Sequence, residues 1–398
     1  MSIIGITSEY NPFHLGHGSH IEKVREKFGA ESTVVCVMSG DFVQRGEAAS
    51  FSKFARAEAA CRCGADLVVE LPVPWALSSA EGFARGAVGL MKQLEVDIIS
   101  FGSECGRTDE LEEIATELSA PEFNALVRAM LSSAPTMSYA AARQAALEKT
   151  LGEKSALIAK PNDLLGVEYL KAIRMLNADI SPFAVKRVGS GHDERGEGYK
   201  SSSELRELMT GGTSLEGLIP QGAYEVYARE RSLGRVIDAD RFDAAVMSRL
   251  RTLSRDGFNA LPDAADGVGD RLYKAAMTEP TVGAVIEAAS TKRYAVSRIR
   301  RMTMCAALGI TEGMSGGIPA YARVLAANKK GCTLLRDINS TCDTAIITKP
   351  AQVRNLGNAA NELFSAGARA HDLYAIAYRE KTERSGGGDW KTSPFIVK

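Results

Sequence analysis

The chain has 398 residues, a formal net charge of −1, 45% hydrophobic residues and 24% charged ones, the balance of a soluble globular protein of two or three domains. No apolar run reaches the ~18–20 residues of a membrane-spanning helix, and no basic segment leads into an apolar core at the N-terminus, so neither a membrane nor a secreted protein is expected. A nearly neutral chain has no global positive field, so any nucleic-acid contact must come from a local basic surface.

Strands and helices alternate through the first half. Ser2–Ile6 reads as a strand, followed by the loop EYNPFHLGH and a helix to about Phe28. Thr33–Met38 is a β-branched strand running into the loop SGDFVQRGEAA; a helix through Arg56–Cys63 leads to the strand Asp66–Glu70. Pro72 and Pro74 break the chain before a helix at about Ala80–Gln93, then come the strand Val96–Phe101 and the turn Gly102-Ser103-Glu104. Apolar strands alternating with helices imply an α/β fold, with a Rossmann-like parallel sheet covered on both faces. In such sheets ligands bind beyond the carboxyl ends of the strands, where the three loops should meet.

Residues 108–177 read as mainly helical, Pro182–Arg187 as one more strand, and Ser201–Met209 as a short helix. The pattern changes near residue 213. Beyond it helices dominate, including Phe242–Leu253 and Tyr294–Met304, then a possible strand at Thr344–Thr348 and a helix through Asn358–Ala366. The expected organisation is a nucleotide-type domain over 1–213 and a mainly helical domain over 214–398. The tail SGGGDWKTSPFIVK starts as a flexible glycine run.

Seven cysteines (Cys36, Cys61, Cys63, Cys105, Cys305, Cys332 and Cys342) are scattered, and none forms a C-x2-C pair. Reduced thiols in a cytoplasmic protein, and no zinc, are the expectation. Two of the five histidines, His14 and His17, fall within four residues just after the first strand. Their spacing puts both rings on one side of a first helical turn. Gly16 leaves room for something large to approach the backbone. The helix N-terminus is a natural phosphate seat, and two imidazoles beside it can donate hydrogen bonds to a phosphate whose charge grows during transfer. Packing or surface histidines are the alternative.

H-x-G-H is the HIGH signature of a nucleotidyltransferase superfamily. Six blocks in order, GITSEYNPFHLGH, VMSGDFVQRGEAA, GADLVVELP, FGSECG, KPNDLLGVEYLKA and KRVGSGH, resemble the tRNA(Met) cytidine acetate ligase family; TKRYAVSRIRRM, PAYARVLAANKKG and IITKPAQV continue the match. The resemblance implies that acetate is activated with ATP as acetyl-adenylate. The acetyl group is then passed to N4 of the wobble cytidine of elongator tRNA(Met), forming N4-acetylcytidine. The partners so implied are ATP, acetate and that tRNA, with no membrane; magnesium is left open and no protein metal site is expected.

The same resemblance assigns catalysis to His14, His17, Asp41 and Arg206. It places the nucleotide on Ile6, Thr7, Ser8, Glu9, Tyr10, Asn11, Pro12, Phe13, Gly16, Gly18, Ser19, His20, Gly102, Asn162, Arg187, Val188, Ser201 and Ser203. The run Ser201–Arg206 sits where the superfamily carries its second phosphate motif, with hydroxyls to hold phosphates and a guanidinium to clamp pyrophosphate; Glu204 departs from the family's small residue there, and a plain serine N-cap is the alternative. Asn162 could be an N-cap, His20 could face solvent, and Asp41 with Arg45 could form a loop salt bridge. Lys292, Arg293, Arg298, Arg300 and Arg301 are five basic residues in ten with no acidic one, suited on one helix to RNA phosphates with Tyr294 as a stacking ring; Lys329 and Lys330 add a second patch. Two other functions remain open: a nucleotidyltransferase acting on a small phosphorylated metabolite, and a non-catalytic RNA-binding protein regulated by ATP.

Overall fold

The computed structural model describes residues 2–134, 137, 139–187, 199–341 and 345–397. Its centre is an eight-stranded sheet in the order β10-β8-β5-β2-β1-β6-β7, with β9 paired to β8. Five parallel strands form its heart: β1 (Ile3–Ser8), β2 (Thr33–Ser39), β5 (Leu67–Leu71), β6 (Ile98–Ser103) and β7 (Ser181–Lys186). All are the strands expected from sequence, displaced by a residue or two at their ends. Every residue of β2 and β5 is buried, as expected where helices cover both faces.

Helices Leu15–Phe28 and Lys53–Arg62 pack with Ile4, Ile6, Val34 and Met38 on one side of the sheet. Helices Ala80–Gln93 and Pro161–Met175 pack with Val35, Val37 and Val69 on the other. A two-strand hairpin, β3 (Phe42–Val43) with β4 (Glu47–Ala48), shapes the loop after β2.

The sheet does not end with the first half of the chain. β8 (Ala322–Ala327) pairs antiparallel with β5, and β9 (Ile346–Ile347) and β10 (Phe395–Ile396) run parallel to β8. Neither β8 nor β10 was expected. The segment from residue 214 to 308 is helical, as expected, and packs around its own core of Val246, Leu250, Leu272, Ile299 and Met302. The glycine-rich tail is not loose: Gly388–Lys391 is a short helix whose Asp389 is fully buried.

Candidate active site

The loop leaving β1 turns directly into the first helix, and His14 is that helix's N-cap. The His14 and His17 rings stack with centroids 3.7 Å apart and planes 21° off parallel. Gly16 makes this possible: a Cβ there would come within 3.0 Å of the His14 ring. Its missing side chain therefore serves the histidine fold first. The His14 backbone N–H donates to His17 Nδ1 at 3.2 Å, so in the neutral ring the proton sits on Nε2. Tyr10 and Phe13 rings wall His17 at 4.8 and 5.5 Å.

This setting decides the charge of the histidines. Burial, assisted by Arg187, brings His14 down to about 4. Burial also lowers His17, with His14 and Arg187 adding to it. His20, one turn on, is half-buried and meets Ser100 Oγ at 2.7 Å, and burial brings it to about 4. At neutral pH these are uncharged imidazoles, hydrogen-bond donors rather than cations.

The loop after β2 is stitched to the loop after β1. Gln44 N–H donates to Glu9 Oε1 at 2.8 Å and Ser50 N–H to Asn11 Oδ1 at 2.7 Å. The fully buried Arg56 donates to the carbonyls of Glu9, Ser39 and Gly40. From the second half, Tyr227 reaches the same loop: its Oη accepts Phe13 N–H at 3.0 Å, and its ring stacks on Phe51 at 4.2 Å. Sequence reading missed Arg56 and Tyr227, because neither lies in a motif that announces its partner.

Arg206 closes the other side. It donates to Asn11 O at 2.9 Å and Ser203 Oγ at 3.2 Å, with Glu47 3.7 Å away. Ser201 is the N-cap of helix Ser202–Thr210 in a capping box: Glu204 N–H donates to Ser201 Oγ, and Ser201 N–H to Glu204 Oε2 at 2.7 Å. The residue that departs from the family pattern is thus the helix's own cap partner. At the β6 end, a Cβ on Gly102 would sit 3.4 Å from the Arg187 side chain. Asn162 lies in the first turn of its helix, behind the Lys160 cap, and donates to Glu104 Oε1 at 2.6 Å; it is not an N-cap. Val188 lies outside the described residues.

Buried polar atoms around this corner without a hydrogen-bond partner among the described residues include Asn11 Nδ2, His14 Nδ1, Ser39 Oγ and Glu47 Oε1. Such groups are rare unless something else completes them.

A family model for HIGH nucleotidyl transferases matches residues 1–389. The tRNA(Met) cytidine acetate ligase of Acetivibrio thermocellus is 32% identical over 418 aligned positions that span all of both chains; that of Thermoanaerobacter sp. (strain X514) is 36% identical over 96% of this chain and 97% of its own. The chain belongs to the tRNA(Met) cytidine acetate ligase family. Thermotoga maritima TmcAL in its apo form superposes with a TM-score of 0.92 at 28% identity over 100% of both chains. The same enzyme bound with alpha-thio ATP gives 0.91 at 28% identity over 100% of this chain and 99% of that one.

Two groups expected at the family's sites have settings that the sequence did not show. Asp41 is buried and spoken for: one oxygen meets His371 Nδ1 at 2.9 Å, the other accepts Lys53 N–H at 2.7 Å. Its carboxyl is held well below the usual range by the His371 charge and hydrogen bond, against burial, which acts the other way and is the largest influence. The basic segment is not one helix. Thr291 and Tyr294 bond each other's backbones in a turn, and the helix begins at Val296. Arg293 therefore shares no helical face with Arg300; it pairs with Asp266 at 3.2 Å. Tyr294 is buried, donates to Asp266 O, and lies between the Arg293 and Arg298 guanidinium groups at 5.6 and 5.5 Å, so it offers no stacking face. Lys292 and Arg300 are exposed; Arg298 and Arg301 are half-buried. Lys330 anchors the turn before β2 through Ala30 O and Glu31.

Proposed function

We infer that this chain is an ATP-dependent ligase that activates acetate as acetyl-adenylate and transfers the acetyl group to N4 of the wobble cytidine of elongator tRNA(Met). Full-length membership in the family carries the reading, and the neutral imidazole pair at a helix N-terminus supports its first step. An acetate oxygen attacks the α-phosphorus of ATP and pyrophosphate leaves. We assign His14 and His17 to donate to the phosphate oxygens as charge grows there, at no cost of reorienting during the reaction. Arg206, with the Ser201 and Ser203 hydroxyls, holds the departing pyrophosphate. We assign Gly102, Asn162 and Arg187 to the nucleoside.

In the second step the cytidine N4 attacks the acetyl carbonyl, AMP leaves, and the amine proton passes to solvent. Asp41 acts from behind: it positions the loop bearing Arg45 and Glu47 through His371 and Lys53. We assign acetate activation to residues 1–213 and tRNA presentation to 214–398, the second acting across the sheet it shares with the first. Among the described residues no group of three or more His, Cys, Asp or Glu side chains is arranged to hold a metal ion. None of the described helices is long and apolar enough to cross a membrane, and ATP and tRNA as substrates place the enzyme in the cytoplasm. Mass spectrometry of tRNA nucleosides after incubation with ATP and a series of short acids tests the reading. N4-acetylcytidine formed only with acetate is the expected result; unmodified tRNA alongside active nucleotidyl transfer to a phosphorylated metabolite would overturn it.

A further inference from the structure

A groove of about 400 Å³ opens beside the loop after β2. One wall is the hairpin edge Gly46–Ser50; the others come from Phe242, Ile286 and Met304 of three helices, with Glu47, Asp243 and Arg300 as its charged groups. The hairpin is pressed onto the basic helix: Gly46 has φ +74, and a Cβ there would lie 2.6 Å from the Arg300 and Arg301 backbone. One residue links the groove to the histidine corner. Glu47 lines it and also stands 3.7 Å from Arg206, which holds the Asn11 carbonyl.

We propose that this groove receives the target cytosine, turned out of its anticodon stack. The inference rests on the acetate-ligase reading and adds where the acceptor base binds. The chemistry fits on three counts. Nucleotides acted on by enzymes are extruded into pockets with apolar walls and a few polar groups, and the volume is in the range of small-ligand sites. Cytosine presents an exocyclic amine, a donor. The groove is lined by two carboxylates, Glu47 and Asp243; among the described residues Glu47 Oε1 has no hydrogen-bond partner and is engaged only by the Arg206 ion pair at 3.7 Å. The flanking phosphates need cations, and Arg300 stands exposed on the groove. A second hollow of about 640 Å³, carrying Arg251, shares Ala239 and Asp243 with the groove and extends its path.

Gly283 allows a test that leaves the fold alone. It lies exposed on the helix Val282–Ala289 and lines the groove, and a Cβ there meets nothing nearer than 4.0 Å. Gly283→Phe should fill the groove, and Gly283→Ala should not. Binding is measured for two anticodon stem-loops, one with cytidine at the wobble position and one abasic there. The wild type and Gly283→Ala are expected to prefer cytidine about tenfold, the worth of one stacked base; Gly283→Phe should lose that preference. It should also acetylate full-length tRNA at least ~100-fold more slowly while acetate-dependent pyrophosphate exchange stays at the wild-type level. Retained preference and acetylation in Gly283→Phe, or no preference in the wild type, overturns the proposal. Absence of N4-acetylcytidine from the wild-type reaction overturns the acetate-ligase reading alone, because the binding preference still decides the groove.

Discussion

Two buried polar regions lie close together in this molecule, and they differ in completeness. Around the histidine corner, Asn11, His14, Ser39 and Glu47 each keep a buried atom without a hydrogen-bond partner among the described residues. Behind it, Lys53 reaches Glu70 at 2.8 Å and Asp389 at 2.9 Å; Arg323 reaches the same two carboxylates at 3.1 and 2.8 Å; and His371 meets Asp41 at 2.9 Å. Only Asp389 Oδ1 is left over there. Perturbed ionisations alone would point to the second region as readily as to the first. Completeness separates them. The network closes on itself and ties β5 to β8 and to the tail, so it is a structural clasp. The histidine corner leaves buried polar groups open, which fits the ligand site proposed for it.

The sharpest way to break this contrast is at Lys53. Lys53→Met leaves Glu70 and Asp389 buried with one cation in place of two, and removing one partner of such a cluster costs about 3–5 kcal/mol. The urea midpoint should fall steeply. A midpoint unchanged from wild type would mean that the network is not what clasps the two halves. Next in size, His14→Ala or His17→Ala should lower acetate-dependent pyrophosphate exchange by about 10²–10³-fold, the usual loss for one preorganised donor, with little change in the midpoint. Near-normal exchange at saturating ATP in both variants would remove the histidines from the reaction.

pH sharpens the same contrast, because the two sets of histidines carry opposite signs. Burial keeps His14 and His20 at about 4 in the folded chain, below the ordinary 6.5. The unfolded chain then binds more protons between these values, so stability falls as pH drops through that window. His371 is raised: Asp41 favours its charged form, and this outweighs burial, the largest single influence, which lowers it. Its contribution is fully present below 6.5 and fades as pH rises through its folded value. The stability gap between wild type and His371→Gln should therefore be wider on the acid side of 6.5 than well above it. In His14→Asn the loss on acidification should be smaller than in wild type. Parallel pH profiles for all three proteins would contradict both assignments.

What the sequence disclosed follows from the range of each interaction. The five parallel strands are runs of β-branched and apolar residues bounded by turns, and such runs declare themselves locally. The β8 run, ARVLAA, is short and rich in alanine, and only pairing with β5, some 250 residues earlier, makes it a strand. Glycines in the tail suggested looseness, but Asp389 is fixed by two cations from distant elements. The same rule divides the site. His14, His17 and Arg206 sit in spaced motifs, whereas Tyr227 and His371 meet their partners across 214 and 330 residues. Asp41 was visible as a loop carboxylate, but not that His371 and Lys53 had already taken it.

The smallest expected effect concerns RNA phosphates, and it separates two arginines that look equivalent in sequence. Arg300 is exposed on the groove beside the loop after β2. Arg293 lies off the helix, paired with Asp266 and resting on Tyr294. Each phosphate contact removed should lessen the salt dependence of tRNA binding by about 0.7–0.9 in log–log slope. Arg300→Ala should show that change and weaken tRNA binding, while Arg293→Ala, whose side chain is already engaged, should show less of both. Neither should alter acetate-dependent pyrophosphate exchange, since no RNA phosphate takes part in that step. Equal slopes for the two variants would mean that both arginines meet RNA and that the Asp266 pair opens on binding. A larger effect from Arg293 would move the RNA path away from the groove, toward the turn at Thr291–Tyr294.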